Sequence, residues 1–400
     1  MGSDRIQRGQ WHAVTAGFLG WTLDAFDFFV VVFLVDTLAG AFSVDKKAII
    51  WTLTATLAMR PVGALLFGMM ADRYGRRLPM MANVVFFSTI GFLCGFAPNY
   101  QVFLVLRALY GIGMGGEWGI GASLALESTP RKWRGLLSGI LQAGYPVGYL
   151  LAAVAARTVF PALGWRWMFW IGGLPALLAL YIRSSVPESR AWVEHRKHSF
   201  RAILAEVGRY KGRLGYLVVM MTLFMFLSHG TQDLYPDFLK TAHGVSLTTV
   251  ANLAILYNVG AIIGALIFGQ LSQRYGRRRI IIVALGLCAI VLPVWGFGGS
   301  VLILAGAAFM MQVGVQGAWG IVPAHLNEMA PDAVRGLMPG LAYQLGILFA
   351  AGTNTIEYAL RDHFGYQWAL VGFEAVTILA LASVVLMGPE DHDRKFHSEH

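Results

Sequence analysis

The sequence predicts an all-α membrane protein in which twelve transmembrane helices form two six-helix repeats of the same orientation. Three observations carry that expectation. Hydrophobic residues make up 56% of the 400-residue chain and charged ones only 13%, whereas an average soluble domain is roughly a quarter charged. Apolar stretches of ~20 residues, the length that spans ~30 Å of hydrocarbon, recur from one end to the other. A shift of 201 residues lays the second half over the first at many uncommon positions, and such an internal repeat constrains architecture before any single motif does.

Taken in order, the spans are expected near 12–36, 48–71, 78–97, 101–126, 135–159, 167–185, 214–239, 247–272, 279–297, 301–326, 337–358 and 367–387. The first carries Asp24 and Asp27, the second Arg60 near its centre, and the fourth Arg107 and Glu117. The fifth carries Tyr145 and Tyr149, the seventh His229 and Asp233, and the eighth Asn258. The tenth adds Gln312 and Gln316, the eleventh Tyr343 and Gln344, and the twelfth Glu374. With the three residues at either end of a span counted to the adjoining loop, 23 of the 31 Lys and Arg residues fall in the termini and the loops after even-numbered spans, 6 in loops after odd-numbered spans and 2 within spans. By the positive-inside rule both termini are cytoplasmic, which points to a cell (inner) membrane location. Met1 to Gln10 reads as a short polar arm, and the first span is too long for a signal peptide. The loop 188–213, rich in Arg and Lys (Arg190, Arg196, Lys197, Arg201, Arg209, Lys211 and Arg213), divides the chain into bundles 1–187 and 214–400. It reads as a cytoplasmic linker containing an amphipathic surface helix.

The net charge of +9 is scattered in short clusters between apolar segments, not gathered in the stripe that a nucleic-acid partner requires. Cys94 and Cys288 lie far apart in apolar runs, which excludes a disulfide framework or a CxxC metal site. Neither a metal nor a cofactor is expected.

The repeat runs at one unbroken offset. Gly63-Ala64-Leu65 falls on Gly264-Ala265-Leu266, and Arg73-Tyr74-Gly75-Arg76-Arg77 falls on Arg274-Tyr275-Gly276-Arg277-Arg278. Trp118-Gly119 meets Trp319-Gly320. Glu127, Pro130, Arg134, Gly135 and Gly139 meet Glu328, Pro331, Arg335, Gly336 and Gly340. An even number of helices per half gives the halves the same orientation about an axis along the membrane normal, and proteins of that build bind their cargo near the midplane between the halves.

The segment Gly68-Met69-Met70-Ala71-Asp72-Arg73-Tyr74-Gly75-Arg76-Arg77 and its repeated copy resemble the signature loop of the major facilitator superfamily. So do Arg107-Ala108-Leu109-Tyr110-Gly111-Ile112-Gly113-Met114-Gly115-Gly116 on the fourth span and Pro187-Glu188-Ser189 closing the sixth. Within it, Ser228-His229-Gly230-Thr231-Gln232-Asp233-Leu234-Tyr235-Pro236 and Trp21-Thr22-Leu23-Asp24-Ala25-Phe26-Asp27 are similar to the sialate:proton symporter family, which includes sialate and fungal lactate permeases. Two positions depart from the lactate permeases: Met225 stands for their Asn and Asp237 for their Thr. The resemblance implies the major facilitator fold and alternating-access transport. It also implies that Arg107 pairs with Asp27, and that Asp72 faces the start of the eleventh span as part of a gate with Arg73 and Arg76.

An ionisable side chain within the hydrocarbon costs ~2.5–3.5 kcal/mol on insertion scales, which makes each one a functional candidate. Arg107, Tyr110, Met114 and Glu117 follow one helical stripe and are expected to line the cavity together, with Arg107 either clamping a carboxylate bidentately or held in an ion pair with Asp27 or Glu117. For Arg60, the resemblance to the family motif around Arg60-Pro61 implies a packing role at the extracellular end ahead of a functional one. His229 and Asp233, four residues apart with Gln232 beside them, form a pair able to exchange protons near neutral pH, in competition with Asp24 and Asp27. His229, Gln232, Tyr145, Asn258 and Gln316 are further substrate-contact candidates beside Arg107, Tyr110 and Glu117. Gly111, Gly113 and Gly116 match G-x-G-x-x-G, but they lie inside an apolar helix and do not follow a strand; they serve close helix packing instead.

These readings converge on proton-coupled symport of a small monocarboxylate of the lactate or pyruvate class, with sialate or an aromatic acid as the alternative. The expected partners are the organic anion, the proton and membrane lipids, and the monomer is the expected working unit. No H-E-x-x-H, G-x-S-x-G or Walker A sequence supports an enzyme. A drug:proton exporter and a sensor on the same scaffold are the remaining competitors; a sensor would call for a long soluble extension.

Overall fold

The computed structural model describes residues 6–194, 199–390 and 396. Arg196 and Lys197 of the expected linker lie outside the described residues. The described chain is helical: α1 (Arg8–Phe33), α2 (Val35–Phe42), α3 (Lys46–Tyr74), α4 (Arg77–Cys94), α5 (Tyr100–Ser128), α6 (Arg134–Leu163), α7 (Trp165–Ile171), α8 (Ala176–Ser185), α9 (Arg190–Glu194), α10 (Phe200–Arg209), α11 (Lys211–Gln232), α12 (Tyr235–His243), α13 (Leu247–Tyr275), α14 (Arg277–Phe297), α15 (Val301–Met329), α16 (Met338–Phe349), α17 (Thr353–Phe364) and α18 (Tyr366–Met387). Four expected spans are each built from two pieces: α1 with α2, α7 with α8, α11 with α12 and α16 with α17. Twelve spans result, six per half.

Ten of the spans are long and apolar enough by themselves to cross a membrane. The other two are α5 and the eleventh span. α5 holds Arg107, Glu117, Glu127 and a run of glycines, and the eleventh span is interrupted after Phe349, leaving two pieces of 12 residues.

The 201-residue offset seen in the sequence also governs where helices start and stop. Lys46–Tyr74 maps onto Leu247–Tyr275 without a gap, and Tyr100–Ser128 onto Val301–Met329. The caps repeat too: Asn99 accepts from the Val102 amide at 3.0 Å and its counterpart Ser300 from that of Ile303 at 3.3 Å, each satisfying one of the orphan donors of a helix start. α3 and α13 end at Gly75 and Gly276, with φ of 98° and 95°, a conformation that costs little only without a Cβ.

At the end of the molecule that bears the basic loops, the two halves touch through small residues. A Cβ on Gly119 would lie 2.8 Å from the Cα of Gly340, and one on Gly68 would lie 2.8 Å from the Cα of Leu337. A Cβ on Gly135 would lie 2.9 Å from that of Gln273. The small helix α10 lies across this end, in contact with α3, α11 and the short turn Asp332–Val334. Only Ile203 of α10 is buried, the one-sided pattern expected of a surface helix.

Candidate functional site

Four polar regions lie at different depths. The first is inside the first half. The side chains of Arg107, Tyr110, Met114 and Glu117 are all fully buried, and they face α1 and α4. Arg107 Nη1 donates to Asp27 Oδ2 at 2.6 Å, and Tyr110 Oη donates towards the carbonyl oxygen and Oδ1 of Asp24, both at 3.1 Å. Gly91 and Gly172 make the room: a Cβ there would approach Asp27 Oδ1 to 3.2 and 2.9 Å. Glu117 fills the space against Gly20 and has no partner for either carboxylate oxygen. The expected stripe is therefore real, but it does not line the space between the halves. Helical spacing specifies a shared face, not which neighbour that face meets, and here it meets α1.

The second region lies between the halves. Arg60 of α3 is 2% exposed. Its guanidinium lies 5.9 Å from the ring of Trp21 on α1 and 5.8 Å from that of Tyr343 on α16. Trp21 stacks on Tyr145 at 5.4 Å, and Tyr343 stacks on Trp118 at 4.4 Å. Arg60 has no ion-pair partner among the described residues, and its Nε and Nη2 lack any hydrogen bond. The sequence reading of Arg60 as a packing residue is corrected here: it stands at the interface and forms no ion pair among the described residues, although its charge acts on Asp24 through space, whereas Arg107 is paired with Asp27 while its own Nε and Nη2 also lack hydrogen bonds. A signal was present, since no acid lies three or four positions from Arg60 on its own helix.

The third region is a cleft of about 190 Å³ at the end opposite the basic loops. Thr54, Leu57 and Ala58 of α3 line one wall, and His229, Asp233 and Asn354 the other. His229 Nδ1 lies 3.1 Å from Asp233 Oδ2, which also accepts from Asn354 Nδ2 at 3.2 Å. Both His229 and Asp233 are about one-third exposed. Asp233 follows the last residue of α11, so it is not the buried acid that its place in an apolar run implies. Gln232 turns away from it and donates to Gln312 Oε1 at 2.9 Å. Gln316 reaches Ser228 Oγ at 3.5 Å, and Asn258 donates to the Ala254 carbonyl of its own helix at 2.8 Å. Gln232 and Gln316 tie α11 to α15, Asn258 bonds only within α13, and none of the three joins the Arg60 cluster.

At the basic end, Asp72 accepts from the amides of Gly336 and Leu337 at 2.7 and 3.0 Å, immediately before α16, where the helix dipole favours a carboxylate. Arg76 bridges Asp72 at 2.8 Å and holds Glu127 through two bonds of 3.2 and 3.0 Å. The second copy repeats the frame: Arg277 holds Glu328 at 2.9 and 2.9 Å, and Gln273 accepts from the Gly135 amide at 3.0 Å. Arg73 does not join the cluster. Its guanidinium lies over Phe200 of α10 at 4.4 Å, because one residue along a helix from Asp72 is ~100° around it.

Residues 11–206 match the family described as Sugar (and other) transporter, and residues 214–400 match the Major Facilitator Superfamily. The chain is 31% identical over 382 residues to a carboxylic acid transporter protein homolog of Saccharomyces cerevisiae, covering 88% of this chain and spanning 62% of that relative's length. It is 30% identical over 386 residues to the sialic acid transporter NanX of Escherichia coli, covering 94% of each. The fold matches that of the proton:xylose symporter XylE with a TM-score of 0.81 at 20% identity, over 96% of this chain and 97% of that one. With these relatives and the repeated Asp72/Arg76 and Gln273/Arg277 frames, the chain belongs to the major facilitator superfamily and is a multi-pass membrane transporter.

Proposed function

We propose that this transporter is a proton-coupled symporter of a small organic carboxylate, in which Arg60 holds the anion between the halves. The single observation that carries this reading is the buried, unpaired guanidinium of Arg60 at the interface. A buried charge with two unbonded donors is costly; the Asp24 carboxyl offsets it only through space, with no ion pair formed, and a bound carboxylate would satisfy the open donors with paired hydrogen bonds. The two relatives named for carboxylic and sialic acid agree with an acid as cargo. Bundles 1–187 and 214–400, joined by the 188–213 linker, rock about the bound anion. Asp72 and Arg76 latch the basic end, which with both termini faces the cytoplasm of the cell membrane, and the monomer is sufficient.

Coupling is assigned to the Arg107–Asp27 pair on the first half. An anion on Arg60 changes the field felt by Asp24 and Asp27 one helix away, so proton and anion each favour the state suited to the other. A monocarboxylate of the lactate or pyruvate class is the primary cargo reading. The rings of Trp21, Tyr145, Tyr343 and Trp118 around Arg60 favour a second one, a planar aromatic acid that stacks while its carboxylate is clamped.

The test is uptake into proteoliposomes under an imposed proton gradient, with labelled lactate, pyruvate, sialate, benzoate and a lipophilic cation run in parallel. Gradient-driven accumulation of one of the acids is expected. Accumulation of the cation alone would overturn the reading.

A further inference from the structure

The second half contains two acids that the scheme above does not use. Glu374 of α18 and Glu357 of α17 are fully buried, and none of their four carboxylate oxygens has a hydrogen-bond partner. Glu374 Oε1 occupies the space that a side chain at Gly230 of α11 would need, and Gly230 lies three residues before Asp233. Glu357 lies three residues after Asn354, the residue that donates to Asp233 in the cleft wall. The helices packed against α18 are α11, α12, α14 and α17. They bring towards this region Glu357 from α17, Cys288 from α14, the His229–Asp233 pair from α11, and Asp237 of α12, which accepts from Tyr366 at 2.8 Å. No Lys or Arg among the described residues bears on Glu374.

A carboxylate left ionised there would lack both water and a counter-charge, at a cost of several kcal/mol after relaxation. Protonated, each group buries one neutral hydroxyl and one carbonyl, a far smaller penalty. The geometry points to a second proton-binding site in the C-terminal half: Glu374 holds a proton that reaches it from the cleft through Asp233 and Glu357. Each step moves one proton between carboxylates, breaking one O–H bond and forming another, with a hydronium ion in the cleft as the outermost donor, which is left as water. Its use in transport rests on the proton-coupled reading, but the protonation itself can be measured without transport.

The experiment is infrared spectroscopy of the full chain reconstituted in lipid, following the carbonyl stretch of protonated carboxyl groups after transfer to heavy water, in wild type, Glu374→Gln, Glu357→Gln and Asp233→Asn. Glu374→Gln is expected to lose a component of the band that Glu357→Gln and Asp233→Asn keep. In those two variants the isotope shift of that component slows relative to wild type. A Glu374→Gln spectrum superimposable on wild type overturns the site, and unchanged exchange in both other variants overturns the relay. Wild-type vesicles that fail to accumulate labelled acid under a proton gradient would sink the symport reading instead, a separate result from the infrared one.

Discussion

Replacing Arg60 by Lys keeps the charge between the halves and removes the fork. A guanidinium can give a carboxylate two parallel charge-assisted bonds, whereas an ammonium on a flexible stem acts as a point charge. Losing one such bond is worth ~1.5–3 kcal/mol. At about 1.4 kcal/mol per tenfold, that corresponds to roughly a 10- to 140-fold weaker affinity for the transported acid. The contacts of the guanidinium with Trp21 and Tyr343, at 5.9 and 5.8 Å, weaken as well, adding ~0.5–2 kcal/mol when desolvated. Trp21 is itself a reporter, since a ligand seated on Arg60 alters its indole environment. Fluorescence titration of Arg60→Lys with the acid that wild type accumulates gives the shift directly. Unchanged affinity in Arg60→Lys together with a large loss in Arg107→Lys would refute the reasoning and return the anion site to the fourth span.

Asp27→Asn removes the acid that Arg107 holds at 2.6 Å; gradient-driven accumulation is expected to vanish while exchange of labelled for unlabelled substrate persists, and retained accumulation would exonerate Asp27. The same change leaves Arg107 buried without its acid, at about 3–5 kcal/mol, so a drop in melting temperature of the purified protein is expected too. Asp72→Asn weakens the charge-assisted bonds to the Gly336 and Leu337 amides by about 1.5–3 kcal/mol and shifts the population towards opening at the basic end. Accessibility of a cysteine placed at Ser138 should then rise, with substrate affinity little changed. A cysteine at Ser199 should react with an impermeant thiol reagent only after cells are permeabilised; labelling in intact cells would invert the topology. Ser3, the other position suited to this test, lies outside the described residues.

Architecture was legible because a bilayer imposes one period on the sequence, a run of ~20 apolar residues. Duplication printed the same caps twice, as Asn99 and Ser300 show. Breaks within spans were not legible: apolar content continues through Leu34 and through Ala350–Ala351 while the helix does not. The site divided along a similar line. Which charges lie in the membrane was plain from composition, and so was the facing of Arg107 and Asp27 once the resemblance was drawn. How far each charge stands from the interface depends on the rotation of its helix, which a single sequence leaves open. Hence Arg60 and not Arg107 stands at the interface, Glu374 found its place only beside Gly230, and Asp233, just past the end of α11 at Gln232, is about one-third exposed.

The contact between the halves at the basic end consists largely of bare backbone, with Gly119 against Gly340 and Gly135 against Gly269 and Gln273. Such faces have no teeth. Interdigitated side chains would have to change rotamer or compress before the surfaces could separate, whereas these surfaces lift apart as they stand. Resistance to opening is then concentrated in a few polar contacts across the junction: Asp72 with the Gly336 and Leu337 amides, Gln273 with the Gly135 amide, Ser138 with the Ala324 amide and Glu127 with Arg335. Such a junction behaves less like a glued joint than like a clasped one: its strength can be retuned by one carboxylate, with no need to repack the surfaces it holds shut.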